Sequence, residues 1–426
     1  MKLSSSFFLT ALILMSLTAC SQKGVSTSVQ KDQLHSLKAQ IEENLKSSLL
    51  PYWSYKTIDT LNGGFYGRID SKEQVYPGSD KGGILNARLL WTYSSAFRVL
   101  KDSSYLQLAT YAKDYILEHF LDKEYGGGYN TVKADGAPGD TRKYILTESY
   151  FIYALAEYYR ATGNKNALDE AIKIFDLVER YAFDSEYNGY FEVYTRDWQR
   201  SRDRMLNEKS DRDEKTMITH LHLLEAYAGL YRVWPDKRME ERLRNILEIF
   251  NNRIIDQRTF HTKYFLDREW NATSQIDSYG HDIEGSWLMT EAAGLLKDPQ
   301  LLKKVEKLSL RVAEAAAEGL QPDGSLLTEK NRITGETVEN RSWWEQAETI
   351  VGYLNAFELT GKQRYLDIVL NAWNYVKEHF VDYANGGWYP IVLPEGKPGG
   401  RDKVNYWTCP YHNGRMCMEV IERIKE

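Results

Sequence analysis

The chain has 426 residues, 42% of them hydrophobic and 27% charged, enough for a large globular core. Its formal net charge is −6 and it has no Lys/Arg run, which argues against nucleic acid as a partner. The 30 Tyr and 11 Trp offer flat apolar faces with one polar tip, a combination that suits carbohydrate.

Lys2, the short apolar run from Phe7 to Leu17, and Leu17-Thr18-Ala19-Cys20 come first in the chain. The run is short for a membrane span and reads as a secretory signal, residues 1–19. Small residues directly before a cysteine have the form of a bacterial lipobox, so Cys20 is the expected lipidation site. Residues 20–32, rich in Ser, Lys and Gln, read as a tether. The expectation is an exported, membrane-anchored lipoprotein facing the periplasm, touching the membrane only through its lipid. Cys409 and Cys417 are the other cysteines; their spacing in a segment read as helical disfavours a disulfide, so buried free thiols are expected.

From residue 33 onward an amphipathic helix, a Gly turn, a short extended stretch and a second, more apolar helix recur. Asn62-Gly63-Gly64-Phe65, Gly126-Gly127-Gly128-Tyr129, Asn188-Gly189-Tyr190, Asp323-Gly324-Ser325-Leu326 and Gly386-Gly387-Trp388 mark the turns. A degenerate copy at Thr259-Phe260 completes six units with a period of about sixty residues. The helices that are more charged on one side are 33–50, 103–120, 165–182, 237–253, 299–317 and 363–380. The more apolar set is 84–100, 143–162, 214–233, 281–296, 342–360 and 411–424. Twelve helices in inner and outer rings predict an all-α fold, an (α/α)6 barrel with short extended loop segments filling residues 33–426.

Polar residues gather near the starts of the inner helices: Arg88, Tyr150, His222, His281, Glu284, Trp344, Glu348 and His412. Inner helices in a ring run the same way, so these residues are expected at one mouth of the barrel, with three histidines at equivalent places in three repeats. Helix N-termini favour a neutral imidazole able to act as a base. Glu284 lies three residues after His281, on the same face, placed to orient it. His220 and His222 are two apart and cannot share a face, His281-Asp282-Ile283-Glu284 is not a zincin motif, and no dinucleotide or Walker signature appears. No metal and no cofactor are expected; the partner is a small sugar, of unassigned oligomeric state.

Several segments carry a resemblance: Arg88-Leu89-Leu90-Trp91, Lys215-Thr216-Met217, His222-Leu223-Leu224-Glu225-Ala226, Ser278-Tyr279-Gly280-His281-Asp282-Ile283-Glu284, Trp343-Trp344-Glu345-Gln346-Ala347-Glu348 and Trp407-Thr408-Cys409-Pro410-Tyr411-His412-Asn413-Gly414-Arg415-Met416. From about residue 35 to the C-terminus the chain resembles the cellobiose 2-epimerases of the N-acylglucosamine 2-epimerase superfamily. The resemblance implies inversion of carbon 2 at the reducing end of a β-1,4-linked disaccharide of cellobiose or mannobiose type, by ring opening and an enediol intermediate. It implies His281 and His412 as the acid/base pair and His222 as an aid to ring opening or substrate holding. It places Arg88 on the carbonyl and enediol oxygens, Glu284 behind His281, Glu348 in support, Trp344 and Trp407 stacked on sugar rings, and Tyr150 at the substrate. Ile218 departs from the asparagine the resemblance implies there, which bears on substrate choice.

The chemistry is consistent with these residue types: two groups near neutral pKa on opposite faces of one carbon, and a fixed cation where oxygen charge develops. Other readings are an N-acylglucosamine 2-epimerase or aldose–ketose isomerase acting on a monosaccharide, an (α/α)6 glycoside hydrolase or lyase using Glu284 and Glu348, and a non-catalytic sugar-binding lipoprotein.

Overall fold

The computed structural model describes residues 27–201 and 213–425. The signal segment, Cys20 and residues 20–26 of the expected tether lie outside the described residues. Residues 28–32 do not form a tether: the first helix starts at Ser28, behind a capping box in which Thr27 and Gln30 satisfy each other's backbone N–H. Among the described residues, no helix is long and apolar enough to cross a membrane.

The outer helices are Ser28–Asn44, continued through Leu45–Leu49 to Lys56, then Ser103–Tyr115, Lys165–Tyr181, Lys237–Ile249, Pro299–Ala316 and Gln363–Tyr375. The inner helices are Gly83–Leu100, Ile145–Thr162, Met217–Val233, Tyr279–Leu295, Trp343–Thr360 and Tyr411–Arg423. Among the described residues, twelve helices alternate outer and inner around a closed ring, and the last inner helix packs against the first. Side-chain oxygens of Asp102, Asn164, Asp236 and Asp298 cap outer helices. The inner helices are buried nearly all round at their starts, as a helix enclosed by an outer ring must be.

Six equivalent antiparallel bridges close the six Gly turns: Ile58 to Phe65, Leu121 to Gly128, Phe183 to Tyr190, Ile255 to Thr262, Leu320 to Leu326 and Val381 to Trp388. The degenerate fourth unit is real, and Phe260 itself takes the positive φ of 65° that glycine supplies elsewhere. At Gly127, with φ of +68°, an added Cβ would lie 2.6 Å from the Trp198 ring and 2.9 Å from Glu148 Oε1. Both the dihedral and the space require glycine there.

Two-stranded ribbons tie neighbouring units together: Lys81–Gly82 with Thr131–Val132, Lys143–Tyr144 with Val193–Tyr194, Lys215–Thr216 with Phe265–Leu266, Ile276–Ser278 with Glu329–Asn331, and Arg341–Ser342 with Ile391–Val392. The sixth join is the Ile69–Val404 bridge, which links the first unit's loop to the last and closes the ring.

Buried ion pairs pin the turns to these ribbons: Lys81 to Asp59 at 2.9 Å, Lys143 to Asp122 at 3.1 Å, Lys215 to Asp184 at 3.0 Å and Lys403 to Asp382 at 2.8 Å. A second set clamps the extended stretch. The fourth residue of four inner helices accepts a backbone N–H from it: Glu148 from Gly128 (2.9 Å), His220 from Tyr190 (3.0 Å), Asp282 from Thr262 (2.8 Å) and Gln346 from Leu326 (2.9 Å). His220 is therefore a structural acceptor, with Nδ1 held by Thr216 O at 2.7 Å. Cys409 and Cys417 are buried and free; Cys409 lies just before the last helix, not in it.

Candidate active site

The inner helices converge on a cavity of about 750 Å³ at one mouth of the barrel, within the range of small-molecule sites. Arg88, Ile218, His222, His281, Glu284, Trp344, Trp407 and His412 line it.

Counting along each inner helix explains the arrangement. Arg88, Tyr150, His222, Glu284 and Glu348 are each the sixth residue of their helix, one level of a ring. The three histidines are not equivalent: His222 is sixth, His281 third and His412 second. The barrel therefore sets imidazoles at different depths around one space, which corrects the expectation of three matching places.

Arg88 is the hub. It donates to Trp407 O at 3.1 Å, to the Tyr150 hydroxyl, and through Nη2 to His412 Nε2 at 3.3 Å. A guanidinium cannot accept, so His412 Nε2 is the acceptor and the ring proton sits on Nδ1. Nδ1 meets Glu348 Oε1 at 2.7 Å. Tyr150 lies under the Arg88 guanidinium (4.4 Å to the ring centre), and its hydroxyl is 3.1 Å from His222 Nδ1, which also meets Glu225 Oε2 at 3.1 Å. Tyr150 and Glu348 do not line the cavity. They hold Arg88, His222 and His412 from behind, Glu348 in the supporting place expected of it and Tyr150 behind the cavity wall.

Glu284 does not orient His281. Its Oε1 binds Arg415 Nη2 at 2.6 Å and lies 3.8 Å from His412 Nδ1, while His281 Nδ1 meets Ser278 Oγ at 2.7 Å. The shared helical face points Glu284 toward the barrel axis, where a stronger partner waits. Arg415 binds Glu225, Glu284 and Glu348 together, and Trp287 Nε1 donates to Glu348 Oε2 at 2.9 Å. The ligand atoms of Glu284, Glu348 and His412 lie close enough to hold a metal ion. The Arg415 guanidinium already supplies a cation to both carboxylates, so this donor set is served without one.

Burial pushes all three imidazoles down, His281 to about 3. His222 and His412 fall well below the usual range, by burial first and then by the Arg88 charge. Burial raises Glu348 to about 8, and raises Glu284 strongly with the help of the Glu348 charge. Three carboxylates against two guanidiniums (Arg88 and Arg415) leave one negative charge to be neutralised, so the buried network has a place for one shared proton beside His412.

Trp344 stands between the two outer imidazoles, its ring 4.6 Å from His281 and 5.5 Å from His412. Trp407 joins the wall from the loop before the last helix, and Tyr264 packs on His281 at 5.4 Å. The sequence reading missed Tyr264, Glu345, Arg401, Asn405 and Tyr406, which also line the cavity. They come from loops, ribbon flanks or a helix's first turn, where no periodicity marks a direction. Arg415 and Glu225 stood in quoted segments without a role; an arginine on the inner face of the last helix, among glutamates at inner levels of other helices, was the available signal.

Residues 64–412 match the family model described as N-acylglucosamine 2-epimerase (GlcNAc 2-epimerase). The chain is 44% identical to a cellobiose 2-epimerase of Bacteroides fragilis, over 90% of this chain and 98% of that protein. It is 37% identical to one of Ruminococcus albus, over 90% and 98%. The solved cellobiose 2-epimerase of Bacillus thermoamylovorans superposes with a TM-score of 0.88 at 37% identity, covering 91% of this chain and all of that one. A D-mannose isomerase at 16% identity (TM-score 0.79) shares the fold. With two helical rings, a His/Arg cavity and likeness along nine-tenths of its length, the chain belongs to the N-acylglucosamine 2-epimerase family.

Proposed function

We propose that this protein inverts carbon 2 of the reducing-end sugar of a β-1,4-linked disaccharide, of cellobiose or mannobiose type. The observation that carries the reading is that His281, His412 and Arg88 face one cavity, with Trp344 between the two imidazoles. In the open-chain sugar the carbon-2 proton is acidified by the carbonyl. A neutral imidazole on one face removes it, the electron pair moves into the enediolate, and Arg88 stabilises the oxygen charge. A proton delivered to the opposite face inverts the centre. His412 delivers that proton as the imidazolium, from Nε2 once Arg88 has turned from that atom to the substrate oxygen, while its Nδ1 proton stays hydrogen-bonded to Glu348, and the opposite direction exchanges the roles of the two histidines. His222, tied to Tyr150 and Glu225, serves ring opening; Trp344 and Trp407 offer faces for the sugar rings.

A hydrolase would want two carboxyls flanking the bond. Here Glu348 is buried behind His412 and both Glu284 and Glu348 are committed to Arg415. Incubation of the disaccharide in D2O with NMR readout tests the proposal: deuterium at carbon 2 with the glycosidic bond intact is expected. Released monosaccharide, a ketose product, or bound but unchanged sugar would each replace it with another of the readings above.

Export and lipid anchoring at Cys20 are part of the same proposal, supported by the segment order of residues 1–20. Cys20→Ala is expected to move the protein from the membrane fraction to the soluble one. Unchanged fractionation would refute the anchor.

A further inference from the structure

We propose that Glu345 contacts the bound sugar, its carboxyl hydrogen-bonding a hydroxyl of the reducing unit beside His281. The proposal rests on the epimerase reading and adds a specificity-determining residue to it.

Glu345 is 0% exposed, yet neither carboxyl oxygen makes a well-aligned hydrogen bond; the Ser342 and Thr328 hydroxyls and its own backbone N–H approach it without completing one. It sits in the wall of the 750 Å³ cavity. It is the third residue of its inner helix, as His281 is of the neighbouring one, so the two occupy the same level side by side. Gly280, next to His281, has no room for a side chain: a Cβ there would lie 2.5 Å from Glu345 Cγ and 2.6 Å from the Trp344 ring. Glu345 and Trp344 thus press on the backbone that carries His281.

Helix capping does not account for the carboxyl. Ser342 is the N-cap and the Ser-x-x-Glu spacing suits a capping box, but Ser342 makes no side-chain cap bond, and Glu345 approaches its own N–H and the Ser342 hydroxyl without closing the box. The Thr328 hydroxyl, also in the cavity wall, is spent on Asn340 O at 3.1 Å. Burial lifts Glu345 to about 8, which favours the protonated carboxyl, a group that can both donate and accept. A sugar hydroxyl is likewise both donor and acceptor, and can supply the aligned bond that the two oxygens lack. A buried carboxyl with no aligned bond weakens the free protein, and that cost disappears when the hydroxyl arrives.

Stability and affinity should therefore move in opposite directions. The probe is the alditol of the disaccharide, which keeps its hydroxyls but has no carbonyl and cannot react. Glu345→Met is expected to melt at or above the wild-type temperature while binding the alditol at least roughly tenfold more weakly by calorimetry. Glu345→Gln, which keeps a donor and an acceptor, is expected to hold affinity within about threefold. In a series of monodeoxy alditols, the one that wild type and Glu345→Met bind alike identifies the hydroxyl. Wild-type affinity in Glu345→Met, an equal loss in Glu345→Gln, or a fall in melting temperature alongside affinity would overturn the proposal. A wild-type protein that shows no carbon-2 exchange would refute the epimerase reading, while the alditol comparison still judges Glu345.

Discussion

At the level of single residues, the site is governed by which groups can donate. Arg88 can only donate, so its contact with His412 Nε2 sends the ring proton toward Glu348. The Nε2 lone pair on the cavity side is held by Arg88 and becomes free to act only when the guanidinium turns to a substrate oxygen, and Glu348 behind the ring steadies it when it becomes charged. Replacing Glu348 with Gln keeps the shape but removes the group that can give up its proton and balance the His412 imidazolium. Wash-in of deuterium at carbon 2 should then slow by roughly 10²-fold or more, with KM nearly unchanged. His281→Ala and His412→Ala should each abolish exchange, and full activity in both would end the two-imidazole mechanism. His281 was legible in the sequence as a polar residue at an inner-helix start. Its partner was not: Ser278 precedes the helix, and i,i+3 spacing pointed to Glu284 instead. Local periodicity ranks neighbours on one helix, whereas the true competitor for Glu284 was Arg415, 131 positions away.

Among the elements, the Gly turns and ribbons are held by buried charges that do not all have the same stake. Asp122 receives both Lys143 at 3.1 Å and Arg196 Nε at 2.9 Å. Removing Asp122 strands a lysine that is fully buried, at a cost of about 3–5 kcal/mol. Lys143→Met leaves Asp122 still bonded to Arg196 and its turn N–H groups, and should cost clearly less. Urea midpoints should rank wild type above Lys143→Met above Asp122→Ala; the reverse order for the two variants would refute this account of the pins. The six-fold repeat itself was visible in the turns, because glycine and its aromatic follower recur at fixed steps. The fourth turn was faint, since Phe260 adopts the left-handed backbone without glycine. The start of the first helix was misplaced because Ser, Gln and Lys compose both tethers and helix N-termini, and the Thr27–Gln30 capping box decides between them.

Across the whole molecule, two opposed sets of buried groups shape the response to pH. His220 is lowered to about 4 and His281 to about 3, with His222 and His412 also well below their ordinary 6.5, all chiefly by burial. A depressed folded-state pKa gives stability that is present above 6.5 and lost as pH falls toward the folded value. Glu148 is raised to about 7, Glu345 and Glu348 to about 8, and Glu284 well above its ordinary 4.5, again chiefly by burial. A raised carboxyl gives stability that is present below 4.5 and lost as pH rises through the folded value. Asp282 and Glu179 are raised as well, by burial first, and His261 is raised, so the groups that lose stability as pH rises outnumber the depressed imidazoles. Melting temperature should therefore fall from pH 6.5 through 8, where the imidazole slopes have ended, and fall again toward pH 3 as the depressed imidazoles charge. A melting temperature that rises between pH 6.5 and 8 would contradict this charge arrangement.

Two properties were settled along the chain: the alternation of helices and Gly turns, and the family resemblance in its ordered segments. Both depend on short-range pattern, since helical periodicity, turn chemistry and residue spacing are local. Closing the ring decided the rest. It brought the sixth residues of five helices to one level, turned Glu284 from His281 to Arg415, set Tyr150 and Glu348 behind the wall, and left the Glu345 carboxyl in that wall without an aligned hydrogen bond. Hydrogen bonds and charges act over a few ångströms of space whatever the distance along the chain, so only the packed barrel could choose among those pairings.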